Sequence, residues 1–117
     1  MLLLCREGKI ALRKRPAKGL LASLWEFPNE LGNLDESGVA VAAAKLGLSV
    51  KSTERLAGAK HIFTHVEWDM SGWLVEVSGE GEENLLWVDA AALERCAVPS
   101  AFRVYLAAAR QRLEAER

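Results

Sequence analysis

Apolar residues recur in short runs along this chain, and this pattern constrains its fold more than any other feature. Short runs bounded by glycine, proline or charged residues are typical of strands, whereas apolar residues three and four positions apart indicate a helix. The runs predict strands at 2–5, 9–13, 24–27, 51–56, 61–70, 72–77 and 85–88. Helical patterns cover 36–46, 89–95 and the segment after Pro99. The sequence therefore predicts one α+β domain over residues 1–117, a mixed sheet packed with two to three helices.

Local signals predict how these segments begin and end. Glu7-Gly8 between the first two runs indicates that the chain opens with a hairpin. Asp35 is a suitable N-cap for the first helix, and Gly47 suits the position just after its end. We expect the strand at 61–70 to pair with the strand at 72–77 across a turn at 69–72.

The segment 61–70 alternates between two faces. Its even positions, which include Ile62, Trp68 and Met70, form an apolar face, whereas Phe63 lies among charged residues at the odd positions. A phenylalanine on a charged face either packs beneath a loop or helix, or stacks against a nucleic-acid base. The pattern by itself favours packing. The four tryptophans are expected to lie in the core.

The net charge is −1, which argues against binding nucleic acid through bulk electrostatics. Basic residues are nevertheless concentrated in the first eighteen positions, so we expect DNA-backbone contacts from Arg13, Lys14, Arg15 and Lys18. No apolar run reaches the roughly 18 residues that a membrane helix needs, and no signal peptide is evident. We expect a cytoplasmic protein. The two cysteines lie far apart, and His61 and His65 lack a third ligand, so no metal site is predicted.

Three motifs carry a family resemblance. The block 9–28, which ends in Leu-Trp-Glu-Phe-Pro, the segment 61–65 (His-Ile-Phe-Thr-His) and the segment 98–103 (Val-Pro-Ser-Ala-Phe-Arg) occur in the order found in MutY proteins. The chain resembles the C-terminal, Nudix-like domain of these A/G-specific adenine DNA glycosylases. The resemblance implies a Nudix-like fold and recognition of 8-oxoguanine in double-stranded DNA. It also implies an N-terminal glycosylase domain, outside this chain, that holds a [4Fe-4S] cluster and excises the adenine mispaired with 8-oxoguanine.

The Nudix hydrolase motif is not preserved. A working motif, Gly-x5-Glu-x7-Arg-Glu-x-x-Glu-Glu-x-Gly, presents carboxylates from a helix to Mg²⁺, a cation that requires oxygen ligands. Here Asn29-Glu30 replaces the glycine pair, and Gly47 comes four residues earlier than the motif requires. The helical segment 39–46 contains no carboxylate. We therefore expect no catalytic residue in this chain.

The resemblance assigns lesion recognition to Phe63, Thr64 and His65 and implies that the chain turns there, which would restrict the alternation to residues beyond His65. Oxidation of guanine turns N7 into an N–H donor and adds a carbonyl at C8, and the Thr64 hydroxyl can accept from the first and donate to the second. Phe63 would stack on a base. His65 would contact a phosphate or hold the loop.

Two other functions stay open. The first is a free-standing Nudix pyrophosphohydrolase that acts on oxidised nucleotides, although the degraded motif argues against this function. The second is a degenerate Nudix interaction module, in which the acidic stretch after Ser78 binds a protein. Because the chain starts directly on its first strand, we expect it to be part of a longer protein.

Overall fold

A computed structural model describes residues 1–15, 24–30, 32, 34–63 and 66–115, apart from the side chains of Phe63 and Val66. Within these residues the elements are β1 (Leu2–Arg6), β2 (Lys9–Lys14), β3 (Trp25–Glu26), α1 (Glu36–Lys45), β4 (Ser49–Phe63), β5 (Val66–Ser78), β6 (Leu86–Val88), α2 (Ala90–Arg95) and α3 (Arg103–Ala115). A 3₁₀ turn over Ser100–Phe102 precedes α3. The predicted α+β class is confirmed.

The strands form one mixed sheet in the order β3-β2-β1-β5-β4, and β6 pairs with β2. β1 runs parallel to β5, and the remaining pairs are antiparallel. Leu2 and Leu4 pack with α1 on one face, while Leu3 packs with α3 on the other. A strand covered on both faces has few polar positions, which explains the nearly continuous apolar run at the start of the chain.

The helices begin and end where local chemistry predicts. The Asp35 side chain accepts a hydrogen bond from the Gly38 N–H at 2.7 Å and caps α1, and Asp89 caps α2 in the same way from Ala92 at 2.8 Å. Gly47 follows α1 with a φ of +78°, a conformation that favours glycine. No helix in the described ranges is long and apolar enough to cross a membrane.

The predicted turn over residues 69–72 is wrong. β5 continues straight through this segment, and Leu56 of β4 pairs with Gly72. Gly72 serves a different purpose, because a Cβ atom at this position would lie 2.3 Å from the Tyr105 ring. The glycine therefore permits close approach of α3 to the sheet. The backbone N–H of Trp73 donates to the Met1 carbonyl at 3.0 Å, so the chain start also holds this part of β5 extended.

Candidate nucleic-acid interface

The outer half of the β4–β5 hairpin extends beyond the rest of the sheet. β5 pairs with β1 from Trp73 to Glu76, whereas the pairs between β4 and β5 continue from Ala59↔Met70 to Phe63↔Val66. We call residues 59–70 the hairpin arm. In the described part of the chain, no third strand pairs with it. A two-stranded ribbon is marginally stable by itself, so contacts from its side chains must fix its direction.

A bulge marks the base of the arm. The register between β4 and β5 shifts by one residue between Leu56 and Ala59, which leaves an extra residue on β4 and bends the strand. The Tyr105 hydroxyl donates to the Ala57 carbonyl at 3.2 Å and holds the bulge against α3. Burial raises the pKa of the Tyr105 hydroxyl, so this group stays a donor.

The outer face of the arm carries Lys60, Ile62, Glu67 and Asp69. The Lys60 ammonium lies 3.0 Å from the Glu67 carboxylate and 3.5 Å from that of Asp69. A hydrogen bond with Glu67, supported by the charge of Asp69, raises the pKa of Lys60. Two carboxylates against one cation make this face unsuitable for phosphate. Ile62 is 70% exposed, so its predicted place on an apolar buried face is wrong.

The inner face of the arm packs on the body of the domain through Trp68 and Met70. The Trp68 ring stacks on Phe102 with 5.9 Å between centroids and 15° between planes. The guanidinium carbon of Arg15 lies 5.2 Å from the centroid of the Trp68 ring. Beyond His65 the predicted alternation is thus confirmed, because Trp68 and Met70 are half-buried while Glu67 and Asp69 are exposed.

The motif Phe63-Thr64-His65 follows the described part of β4 in the sequence. β4 ends at Phe63 and β5 begins at Val66, and these two residues lie opposite each other. Thr64, His65 and the side chain of Phe63 lie outside the described residues. The contacts assigned to them remain predictions.

The predicted DNA-backbone residues differ in their surroundings. Lys14 is exposed, with its ammonium 5.9 Å from the Trp25 ring centroid, and Lys18 lies outside the described residues. Arg13 and Arg15 instead bind the Glu26 carboxylate, where Arg13 Nε donates to Oε2 at 2.9 Å and Arg15 Nη1 donates to Oε1 at 2.6 Å. Arg15 is only 18% exposed in its side chain. These two arginines therefore have structural partners within the domain.

Glu26 is a buried, paired residue that the sequence pattern did not single out. It is the one buried charged residue in the described chain, 4% exposed, and each of its carboxylate oxygens accepts a charge-assisted hydrogen bond. Burying a carboxylate is costly unless it is paired, so the two arginines are what make its position tolerable. The signal that could have revealed it is a glutamate between two aromatic residues, together with two arginines, Arg13 at the end of the preceding strand and Arg15 just after that strand.

A groove of about 430 Å³ lies between the inner face of the arm and the segment that follows β3. Its lining includes Arg15, Asn29, Trp68, Met70 and Phe102. The groove combines aromatic surface with the Arg15 guanidinium, and its lining also includes the acidic residues Glu30, Glu67 and Asp69.

Helix α1 contains residues 39–45, a segment in which the sequence has no carboxylate. Its exposed positions include Ala40, Val41, Ala44 and Lys45, and the Lys45 ammonium lies 3.7 Å from Glu30. Alanine and valine have no group that coordinates a metal, and a lysine adds positive charge. No group of three or more metal-binding side chains occurs among the residues that the structure describes.

Comparisons with known proteins agree with this description. The chain matches the family model for the NUDIX domain over residues 1–108. An adenine DNA glycosylase from Arabidopsis thaliana is 34% identical, over an alignment that covers 50% of this chain and 12% of that protein. The chain thus corresponds to a small part of the glycosylase.

Two solved structures share the fold. The C-terminal domain of mouse MUTYH, crystallised in complex with human PCNA, has a TM-score of 0.69 at 20% identity, covering 89% of this chain and 83% of that domain. The MutT NUDIX hydrolase from Burkholderia pseudomallei has a TM-score of 0.64 at 23% identity, covering 91% of this chain and 92% of the hydrolase. These likenesses and the family match confirm the Nudix-like fold that the three motifs predicted.

Proposed function

This chain belongs to the NUDIX domain family, and within that family we propose that it recognises 8-oxoguanine in double-stranded DNA as the C-terminal domain of an adenine DNA glycosylase. The observation that supports the proposal is that β4 and β5 pair beyond β1 as far as Phe63 and Val66, the two residues between which the rest of the motif lies in the sequence. A residue at the end of such an arm can reach a base pair without bringing the rest of the domain against the DNA.

The chemistry of the motif suits the lesion. 8-Oxoguanine differs from guanine by the N7–H donor and the C8 carbonyl, and a threonine hydroxyl complements both. Each hydrogen bond contributes about 0.5–1.5 kcal/mol net, and a buried donor left unpaired costs more. We propose that Thr64 senses this edge, that Phe63 stacks on a neighbouring base, and that His65 supports the turn or a phosphate.

Base excision is proposed for another part of the protein. The match covers 12% of the curated glycosylase, and residues 39–46, which include most of helix α1, contain no carboxylate. A [4Fe-4S] cluster needs four thiolates, whereas this chain has two cysteines. We therefore assign both the cluster and the adenine excision to an N-terminal glycosylase domain.

The proposal is tested by measuring how the 117-residue chain binds two labelled duplexes, one with an 8-oxoguanine·adenine pair and one with guanine·adenine, at low salt. We expect fluorescence anisotropy to give a lower Kd for the lesion duplex. Thr64→Ala should reduce the ratio of the two Kd values about two- to tenfold, the effect of one or two lost hydrogen bonds. Phe63→Ala should weaken binding to both duplexes and reduce the ratio further.

Thr53→Ala is the matched control, because Thr53 lies on β4 in register with Val75, within the sheet. It should leave the ratio unchanged. Equal Kd values for the two duplexes in the unaltered chain would refute lesion recognition by this domain. Equal ratios for Thr64→Ala and Thr53→Ala would remove Thr64 from the site.

Protein binding is a second candidate function, because the related MUTYH domain was crystallised with human PCNA. In this chain β4 lies at one edge of the sheet, and an edge strand can add a further strand from a partner. Calorimetric titration with human PCNA tests this function separately from the DNA measurement. Binding of PCNA without any lesion preference would favour an interaction module.

A further inference from the structure

We propose that Glu26 is a positioning residue, which acts through Arg15 and Trp68 to set the direction of the hairpin arm and so contributes to lesion preference. The inference rests on the proposed function, because it assumes that the end of the arm provides the preference for 8-oxoguanine. Glu26 itself lies on β3, away from the end of the arm.

The first step is that Glu26 fixes the Arg15 guanidinium. The Glu26 carboxylate is held from one side by Arg13, whose Nη2 also donates to the Asn29 carbonyl at 3.0 Å. Arg13 lies directly opposite Glu26 in the pairing of β2 with β3, so backbone hydrogen bonds fix this side as well. With its other oxygen 2.6 Å from Arg15 Nη1, the carboxylate holds a planar group in one orientation.

The second step connects Arg15 to the arm. Its guanidinium lies over the Trp68 ring, and Trp68 also stacks on Phe102, a fully buried residue just before α3. A cation over an indole ring is attracted to its face, and the attraction is stronger where water is partly excluded. Trp68 is therefore held by two groups that belong to the body of the domain.

The third step carries this constraint to the end of the arm. Trp68 lies opposite His61 and two residues from Val66, roughly 7 Å along the strand from the start of the turn. Because a bulge bends β4 at the base of the arm, the direction of the two strands there depends on what packs on their inner face. Trp68 supplies that packing close to the turn.

An alternative role for Arg15, direct contact with a DNA phosphate, leads to opposite expectations. If Arg15 binds phosphate, Glu26→Gln should remove the negative charge that compensates Arg15. Both duplexes should then bind more tightly, and the ratio of their Kd values should stay the same. Arg15→Lys keeps the positive charge, so both Kd values should stay close to those of the unaltered chain. If Arg15 positions Trp68, Glu26→Gln should lower the ratio of the two Kd values. Arg15→Lys should lower it as well, because an ammonium lacks the planar shape of the guanidinium.

The experiment measures both Kd values for the 117-residue chain carrying Glu26→Gln or Arg15→Lys. We expect the preference for the lesion duplex to fall about fivefold or to unity in each variant, comparable with the loss of one stacked base. Glu94→Gln is the matched control, because it removes the same charge from an exposed pair with Arg110. It should leave the ratio unchanged.

Backbone amide chemical shifts provide a readout that does not depend on DNA. Glu26→Gln and Arg15→Lys should shift the amides of 60–63 and 66–69 more than those of α1, whereas a general loss of stability would not single out the arm. Unchanged arm shifts, or a ratio that stays at the level of Glu94→Gln, would overturn the inference.

Two further outcomes are distinguishable. If the unaltered chain shows no preference, the proposed function fails, and larger amide shifts in the arm than in α1 would still establish the positioning contact. If Glu26→Gln does not fold, Arg15→Lys decides the question alone, since it keeps a cation beside the buried carboxylate.

Discussion

Replacing Gly72 by alanine tests the packing that anchors the base of the hairpin arm. A Cβ atom at position 72 would lie 2.3 Å from Tyr105 Cε1 and 2.9 Å from Cδ1, closer than nonbonded carbons approach. Tyr105 is fully buried, so its ring has little space to move away. A displaced ring would also lengthen the 3.2 Å hydrogen bond from its hydroxyl to the Ala57 carbonyl.

The size of the effect follows from three contributions. Overpacking a core typically costs about 1–3 kcal/mol, and losing the Tyr105 hydrogen bond would add about 0.5–1.5 kcal/mol. The lower entropy of an unfolded chain with alanine in place of glycine offsets about 0.4–1 kcal/mol. We expect Gly72→Ala to lower the free energy of unfolding by about 0.5–4 kcal/mol. For a domain of 117 residues this corresponds to a decrease in Tm of about 2–16 °C.

Thermal unfolding followed by circular dichroism measures this change, and two variants check its cause. Gly38 lies on α1, and a Cβ atom there would be 3.1 Å from the flexible end of the Leu34 side chain. Because alanine favours a helix, the Gly38→Ala domain should have a Tm within a few degrees of the parent or higher. Tyr105→Leu should destabilise the parent but cost less in the Gly72→Ala background, because the smaller side chain removes the clash. A Gly72→Ala domain as stable as the parent, or strictly additive effects in the double variant, would refute the reasoning.

Two further predictions concern the helices. Asp35→Ala should lower the free energy of unfolding by about 0.5–2 kcal/mol in urea titrations, because the Gly38 N–H loses its cap, whereas Glu36→Ala should change it less. The chain should release no more pyrophosphate from 8-oxo-dGTP with Mg²⁺ than buffer does, since residues 39–46 contain no carboxylate to hold the cation; turnover that disappears with chelator and returns with Mg²⁺ would contradict this.

Much of the fold was predictable because its determinants are local. The opening hairpin requires only a turn at Glu7-Gly8 between two apolar runs, and the structure has Glu7 and Gly8 at positive φ. The ends of α1 depend on Asp35 and Gly47, whose roles follow from backbone hydrogen bonding and from the conformational freedom of glycine. Such features depend on residues a few positions apart, so the sequence pattern identifies them directly.

The errors arose where distant residues decide the structure. Gly72 resembled a turn residue, but its small size accommodates Tyr105, which lies 33 positions further along the chain. Ile62 fitted an apolar face with Trp68 and Met70, but it pairs with Glu67 on the outer face of the arm and is 70% exposed. The pairing of Glu26 with Arg13 and Arg15 likewise depends on strand register. A single sequence does not specify such contacts until the strands are aligned.

The charges of the arm suggest how a domain of net charge −1 would read DNA. Lys60 is compensated by Glu67 and Asp69, and Glu26 partly neutralises Arg13 and Arg15, so the surface beside the arm provides little long-range attraction for phosphates. Discrimination by this domain would then depend on short-range contacts at the end of the arm, which are effective only if the arm is held in a defined direction. On this argument the lesion preference of the chain should survive moderate salt better than its affinity does, since added salt weakens phosphate contacts with both duplexes alike.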